Sequence, residues 1–178
     1  MLPTNNIKLR PISMADKEAL AKLANNRKIW LNLTDYLPHP YTTADAIQFI
    51  EKNLQANDNN IFVIEYKGQF AGLVGLLMGS DLHRKSTDIG YWLGEPFWGK
   101  GITRVAVDLA TRFAFENLDI NRISAGIFEH NLASMRVLEK NGYQKEGILK
   151  KGVFKDGEFW DEHLYGLLKE DWLKNQGA

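Results

Sequence analysis

Between Asp88 and Phe113 the chain passes from a strand-like run into a helical one through Gly94-Glu95-Pro96-Phe97-Trp98-Gly99-Lys100-Gly101-Ile102-Thr103. This passage constrains the fold more than any other. Asp88 to Leu93 reads as strand. Beyond the loop, Ile102, Val105, Ala106, Leu109, Ala110 and Phe113 recur on one face of a helix of about 15 residues, roughly 22 Å long. A glycine-bearing turn that runs straight into a helix leaves the first N–H groups without internal partners, at the end where the macrodipole places positive charge. Such an end binds anions, and a pyrophosphate is a natural guest. Gly99 and Gly101 let the backbone approach closely, and Lys100 adds a formal cation.

Two better-known phosphate motifs nearly match, and the residues that fail decide against both. A Walker loop places Ser or Thr after its lysine to hold Mg²⁺, but Gly101 stands there. A dinucleotide fingerprint needs a third glycine where Arg104 stands, and it belongs to the first βαβ unit rather than past the middle of the chain. Nucleotide hydrolysis and dinucleotide redox chemistry are therefore disfavoured. A tight strand-to-helix turn with no ligand is the plain alternative.

The rest of the sequence supplies a frame for the loop. Ile7, Leu9 and Ile12 alternate as a strand; Ser13 then offers an N-cap, with Asp16 three residues on, for a helix predicted from Met14 to Arg27. Trp30 to Tyr41 is irregular around Pro38 and Pro40, and Thr42 or Thr43 caps a second helix through Gln55. Ile61 to Tyr66 and Phe70 to Leu77 form a hairpin across Lys67-Gly68-Gln69. Arg122 to Phe128 is a strand. Asn131 caps a short helix with Met135 and Leu138 inward, and Gly142 falls just past its end. Tyr143 to Phe154 and Glu158 to Leu168 flank a tight Asp156-Gly157 turn. The order β α α β β β α β α β β predicts an α/β (α+β) domain, a mixed sheet with helices on its faces, whose core runs from about residue 7 to 173.

Composition narrows the chemistry. The 178 residues hold no cysteine, which removes thiol catalysis, Cys-ligated zinc and iron–sulfur clusters; no metal is expected. Twenty-two Lys+Arg balance 22 Asp+Glu, so bulk affinity for nucleic acid is not expected. No apolar run approaches the ~18 residues of a membrane span or forms a leader at the start, which predicts a cytoplasmic protein.

Asn131 and Ser134, three apart at a helix start, share one side of it. With Ile7-Lys8-Leu9-Arg10-Pro11, Ile89-Gly90-Tyr91-Trp92-Leu93, Phe97-Trp98-Gly99-Lys100-Gly101-Ile102, Lys140-Asn141-Gly142-Tyr143 and Glu170-Asp171-Trp172, they resemble the GNAT N-acetyltransferases over essentially the whole chain. Within that family they resemble the Rim-type branch, which acetylates N-terminal amines of ribosomal proteins. The family's Gln/Arg-x-x-Gly-x-Gly/Ala loop falls on Trp98, Gly101 and Thr103. Trp98 is similar to what the Rim-type branch carries, whereas Thr103 departs from the small residue expected.

The resemblance implies a mostly antiparallel sheet with a splayed central strand pair and helices on both faces. It implies acetyl-CoA, with pyrophosphate on Gly99, Lys100, Gly101, Ile102, Thr103 and Arg104, and pantetheine along Tyr91, Trp92 and Leu93 where the strand Ile89 to Leu93 splays from the one ending near Phe128. The Leu93 N–H would polarise the thioester carbonyl, Asn131 would bond the pantetheine arm, and Ser134 would approach the sulfur. An amine then attacks the thioester directly. Many family members place a tyrosine near the leaving thiolate; Leu138 stands there, so Ser134 is the substitute, donating a hydrogen bond rather than the net proton, since a hydroxyl is far less acidic than a thiol of pKa ~8.5.

Asp88, Glu129, His130, Asp161 and His163 are the candidate bases, each near a strand end and each more readily read as a solvated salt-bridge or surface group. Trp30, Tyr36 and Trp160, with Trp92 and Phe154, are candidates for the acceptor groove or for plain packing, and Lys145, Lys150, Lys151 and Lys155 for a partner-facing or edge-protecting cluster. A protein N-terminus is the expected acceptor. A small-molecule amine such as a polyamine, amino sugar or antibiotic, or a catalytically silent CoA-binding module, is the alternative; an acidic pocket would favour the polyamine. Association as a homodimer stays open.

Overall fold

The computed structural model describes residues 6–55 and 60–176, so residues 1–5 of the opening stretch read above lie outside the described residues. Seven strands form one sheet in the order β1-β2-β3-β4-β5-β7-β6: β1 (Ile7–Pro11), β2 (Ile61–Tyr66), β3 (Gln69–Met78), β4 (Ser86–Leu93), β5 (Arg122–Phe128), β6 (Gln144–Lys155) and β7 (Glu158–Leu168). The helices are α1 (Lys17–Ala24), α2 (Arg27–Trp30), α3 (Thr43–Gln55), α4 (Ile102–Asn117), α5 (Leu132–Glu139) and α6 (Lys169–Gln176). Antiparallel ladders join β1 to β2, β2 to β3, β5 to β7 and β6 to β7. β4 and β5 run parallel, and their ladder covers only Ser86–Asp88 against Arg122–Ser124, although β4 continues to Leu93 and β5 to Phe128. This mixed, mostly antiparallel sheet with a splayed β4–β5 pair is the expected architecture.

The chain forms two compact units, one of residues up to Gly75 with Tyr91–Ala106, the other of Leu76–Gly90 with Val107 onward. In the first, Leu20, Ala21 and Ala24 of α1 and Ala46 and Ile50 of α3 recur at helical spacing and meet Val63, Phe70 and Leu73 from the sheet in one apolar cluster. In the second, Ile123 and Ala125 of β5 alternate inward, Met135 and Leu138 of α5 are buried, and the Thr111 and Tyr143 hydroxyls share a 2.8 Å bond.

Two helical expectations are corrected. The helix predicted from Met14 to Arg27 is three pieces: a 3₁₀ turn at Met14–Asp16, then α1, then α2. Two consecutive asparagines break it. Asn25 leaves the helical region and its Oδ1 accepts the Tyr41 N–H, while Asn26 is extended and its Oδ1 caps the Lys28 N–H at 2.9 Å. α6, absent from the expected order, follows β7 directly and seats Trp172 against Phe115, ring centroids 5.4 Å apart.

Asp16 closes the first turn and is buried. Its carboxylate accepts the Ser13 N–H at 2.9 Å and two Arg10 N–H groups at 2.6 and 2.9 Å, while Arg10 also donates to Glu65. Burial pushes the acid upward, but the bonds from Arg10 and Ser13 outweigh it and hold Asp16 below the usual carboxylate range. A depressed folded pKa gives stability that is complete above the unfolded value of about 3.9 and is lost as pH falls through the lower folded value. Asp16→Asn is expected to cost about 2–4 kcal/mol at pH 7, because it leaves Arg10 short of a charge partner. Its thermal midpoint should fall less steeply than that of the parent below about pH 4; parallel acid profiles would count against this role.

Candidate active site

In the first unit, the segment from Gly94 to Gly101 is pinned at its start and open at its end. The Gly94 N–H donates to the Ala71 carbonyl at 2.8 Å, and a 3₁₀ turn at Glu95–Phe97 follows. Gly99 and Gly101 have φ of 73° and 70°, left-handed values that favour glycine and turn the backbone into α4. Residues 99–101 are exposed, whereas Ile102 is anchored in the core. The N–H groups at the start of a 16-residue helix therefore face outward with a fixed direction, an anion site in form. Lys100 turns back on its own loop: its Nζ donates to the Pro96 carbonyl at 2.8 Å and lies over the Phe97 ring. Thr103 is half-buried at the helix start and Arg104 is exposed.

The loop is also tied to α2. Glu95 accepts from the Lys28 ammonium and, at 2.7 Å, from the Asn26 amide, and these bonds hold its carboxyl below the usual range. Beside the loop, the end of β4 is tightly framed. A Cβ on Gly72 would stand 2.2 Å from the Trp92 carbonyl oxygen, and the Trp98 indole N–H donates to the Leu93 carbonyl at 2.6 Å. Tyr91 and Trp92 are half-buried and Leu93 is buried.

In the second unit, Asn131 caps α5: its Oδ1 accepts the Ser134 N–H at 3.1 Å, which commits the side-chain oxygen and leaves Nδ2 as the group a ligand would meet. Ser134 is buried at the same helix start, one turn before the fully buried Leu138. Leu138 is thus a core residue. Tyr165 is no substitute for the missing tyrosine: burial, then its bond to Glu139, pushes its phenol up to about 12.

The same unit holds a cavity of about 450 Å³ whose lining includes Asp88, Arg122, Ser124, Gly126, Glu146 and Glu162. Asp88 Oδ1 accepts the Ser124 hydroxyl at 2.5 Å. Arg122 is spent on Glu146 through two bonds, which lower the Glu146 carboxyl and raise the guanidinium. Glu162 lies over Gly126, where a Cβ would come within 2.1 Å of its carboxylate. Three carboxylates against one guanidinium leave the cavity acidic, suited to an ammonium.

Of the five candidate bases, Asp88 alone lines this cavity. Asp161 accepts from the Lys150 ammonium and the Lys151 N–H, bonds that lower its carboxyl, so it is a clamp across the last hairpin. Glu129 accepts the Asp161 N–H, His130 packs edge-on to Trp160 at 4.8 Å, and His163 is half-buried with its Nδ1 unpartnered. Among the aromatic candidates, Trp30 stacks on His39 with Arg27 above it, Trp92 packs near Phe70, and Trp160 packs on His130. Tyr36 is 98% exposed and walls nothing in this structure. Of the four lysines, Lys145, Lys150 and Lys151 are exposed on edge strand β6, but Lys155 is buried.

Sequence reasoning passed over Glu146, Glu162 and Arg122, because β4 to β7 come together only through long-range pairing. Among the described residues no group of three or more His, Asp or Glu could hold a metal, and no helix is long and apolar enough to cross a membrane.

A family model described as an acetyltransferase (GNAT) domain matches residues 6–144. YjcK of Bacillus subtilis (strain 168), a candidate N-acetyltransferase, is 32% identical over 151 residues, covering 80% of this chain and 83% of its own. YdaF of the same organism, a candidate ribosomal N-acetyltransferase, is 30% identical over 172 residues, covering 94% and 93%. The structure of the ribosomal α-N-protein acetyltransferase RimL in complex with coenzyme A superposes with a TM-score of 0.80 over 94% of this chain and 97% of that one, at 24% identity, a likeness of fold.

Proposed function

Since the chain belongs to the GNAT acetyltransferase family and takes its acetyl group from acetyl-CoA, we propose that its acceptor is a cationic primary amine, first of all the N-terminal α-amine of a protein of the ribosomal type. The observation that carries the cationic amine is the carboxylate-lined cavity with Asp88 held by Ser124, and the choice of a protein N-terminus over a polyamine rests on a relative rather than on that cavity. YdaF, similar over nearly the full length, supports the ribosomal acceptor.

The steps follow from the residues. The N–H groups from Gly99 to Arg104 receive the pyrophosphate, with Lys100 adding to the field from the folded loop. Tyr91, Trp92 and Leu93 offer backbone to the pantetheine, Asn131 offers its Nδ2, and the Leu93 N–H faces the thioester carbonyl oxygen. The acceptor enters as an ammonium drawn by Asp88 and Glu162. Losing a proton costs an α-amine of pKa ~7.7 only about 1 kcal/mol at pH 7, against about 4.6 kcal/mol for a lysine side chain. The neutral nitrogen attacks the carbonyl carbon, its acidity rises as the C–N bond forms, and the proton passes to water; Asp88, five residues and about 16 Å along β4 from Leu93, holds the incoming ammonium and lies too far off to take this proton. The C–S bond then breaks; the thiolate leaves with a hydrogen bond from Ser134 and is protonated by water.

Ser134→Ala is expected to lower kcat by about 5–30-fold, the loss of one hydrogen bond to a developing anion, with acetyl-CoA affinity within about twofold. An unchanged kcat removes Ser134 from the step.

The acidic surplus favours a second reading, a polyamine, whose several ammonium groups would match Asp88 and Glu162 together. Rates on peptides with free α-amines, on the same peptides blocked at the N-terminus, and on spermidine separate the two. The first reading expects free peptides to lead by at least about tenfold in kcat/KM, a gap of one or two polar contacts; a reversed order overturns it.

A further inference from the structure

We infer that Trp98 is a positioning residue for acetyl transfer, holding the end of β4 so that the Leu93 N–H points at the thioester carbonyl; the inference rests on the reading above, in which that N–H is the oxyanion donor. The bond is the 2.6 Å contact from the Trp98 indole N–H to the Leu93 carbonyl oxygen. The peptide that carries this carbonyl also carries the Gly94 N–H, which donates to the Ala71 carbonyl at 2.8 Å. One peptide unit is therefore gripped at both of its polar atoms, by a side chain from the loop and by the neighbouring strand.

The peptide on the other side of Leu93 is held by shape. Gly72 lies so close to the Trp92 carbonyl that no Cβ fits between them. With both flanking peptides fixed, φ and ψ of Leu93 are fixed, and so is the direction of its N–H. Direction matters because a hydrogen bond weakens steeply off line, and a donor aimed before the charge develops loses nothing to reorganisation.

Burial does not explain a tryptophan at this position. The residue is 43% exposed, yet its polar atom is turned inward. The turn at Glu95–Phe97, closed by the Trp98 N–H on the Glu95 carbonyl at 3.1 Å, brings the side chain back across the strand end five residues upstream. The same turn leads into Gly99 and Gly101, so the phosphate loop and the strand end share one frame.

Trp98→Phe keeps a ring and removes the donor; Trp98→Gln restores one without the ring. Measured with wild-type protein under saturating acceptor, Trp98→Phe is expected to lower kcat about 5–10-fold with the acetyl-CoA dissociation constant within about twofold, and Trp98→Gln to recover at least about half of the lost rate on a logarithmic scale. Three results overturn the inference: wild-type kcat in Trp98→Phe, a loss confined to acetyl-CoA affinity, or Trp98→Gln no better than Trp98→Phe when both melt as the wild type does. A Trp98→Phe protein that does not fold leaves Trp98→Gln to decide by its kcat, which must stay within about threefold of wild type. Wild-type protein that binds acetyl-CoA but releases no CoA with any amine defeats the acetyl-transfer reading itself, a result distinct from each of the three.

Discussion

Asp88→Asn is expected to reduce kcat/KM for the amine acceptor by about 10–30-fold at pH 7, the size of a lost charged contact to an ammonium, while leaving acetyl-CoA affinity within about twofold. The amide that replaces the carboxylate cannot attract the ammonium, and the rest of the cavity is unchanged in shape. The defect should shrink in alkali. An acceptor of pKa ~7.7 is about 17% neutral at pH 7 and about 95% neutral at pH 9, so less of it carries the charge that Asp88 attracts at the higher pH. A defect that stays constant from pH 7 to pH 9 would mean that Asp88 only shapes the cavity. Equal activity would hand the role to Glu162, the carboxylate that lies over Gly126 in the same cavity.

Gly72→Ala should be among the most damaging single methyls that can be added to this chain. Its Cβ would stand 2.2 Å from the Trp92 carbonyl oxygen and 2.9 Å from the Leu93 Cα, both backbone atoms, so no side chain can swing aside. Either β3 bulges or the end of β4 moves. Overpacking of this kind costs about 2–4 kcal/mol, and at roughly 2–4 °C per kcal/mol for a chain of this length the thermal midpoint should fall by about 5–15 °C. Turnover should fall by more than tenfold even at temperatures where the variant is folded, because the displaced backbone carries the Leu93 N–H. Gly90→Ala is the control: a Cβ there meets nothing within 4 Å, and the midpoint should stay within about 2 °C. A Gly72→Ala protein as stable as the control would show that the strand end yields easily, and the tight frame around Leu93 would lose its meaning.

The parts of the site that local chemistry specifies were legible in the sequence. Gly99 and Gly101 announce a left-handed turn, the apolar spacing from Ile102 announces the helix it feeds, and Asn131 with Ser134 announces a capped start; each depends on residues close in the chain. What stayed hidden depends on pairing over distance. Asp88 could not be separated from Glu129, His130, Asp161 and His163 until Lys150 and the Lys151 N–H were found to engage Asp161, and until Arg122, Glu146 and Glu162 gathered around the same cavity as Asp88. The break at Asn25 and Asn26 was hidden for a similar reason, since the Tyr41 N–H that rewards it lies 16 residues downstream. α6 carries a single deeply buried residue, Trp172, too little for a periodic signal. Lys100 and Lys155 show the limit of reading charges along a chain: one ammonium folds back on its own loop, and the other lysine is buried.

Acceptor-dependent release of CoA tests the central claim most directly. Purified protein with acetyl-CoA and a peptide bearing a free α-amine should release one thiol for each peptide that gains an acetyl group by mass spectrometry, with the added mass on the N-terminal nitrogen and no acetyl group left on the protein. Binding of acetyl-CoA without amine-dependent thiol release from peptides or polyamines, or an acetyl group retained on the protein itself, would contradict direct transfer to an amine.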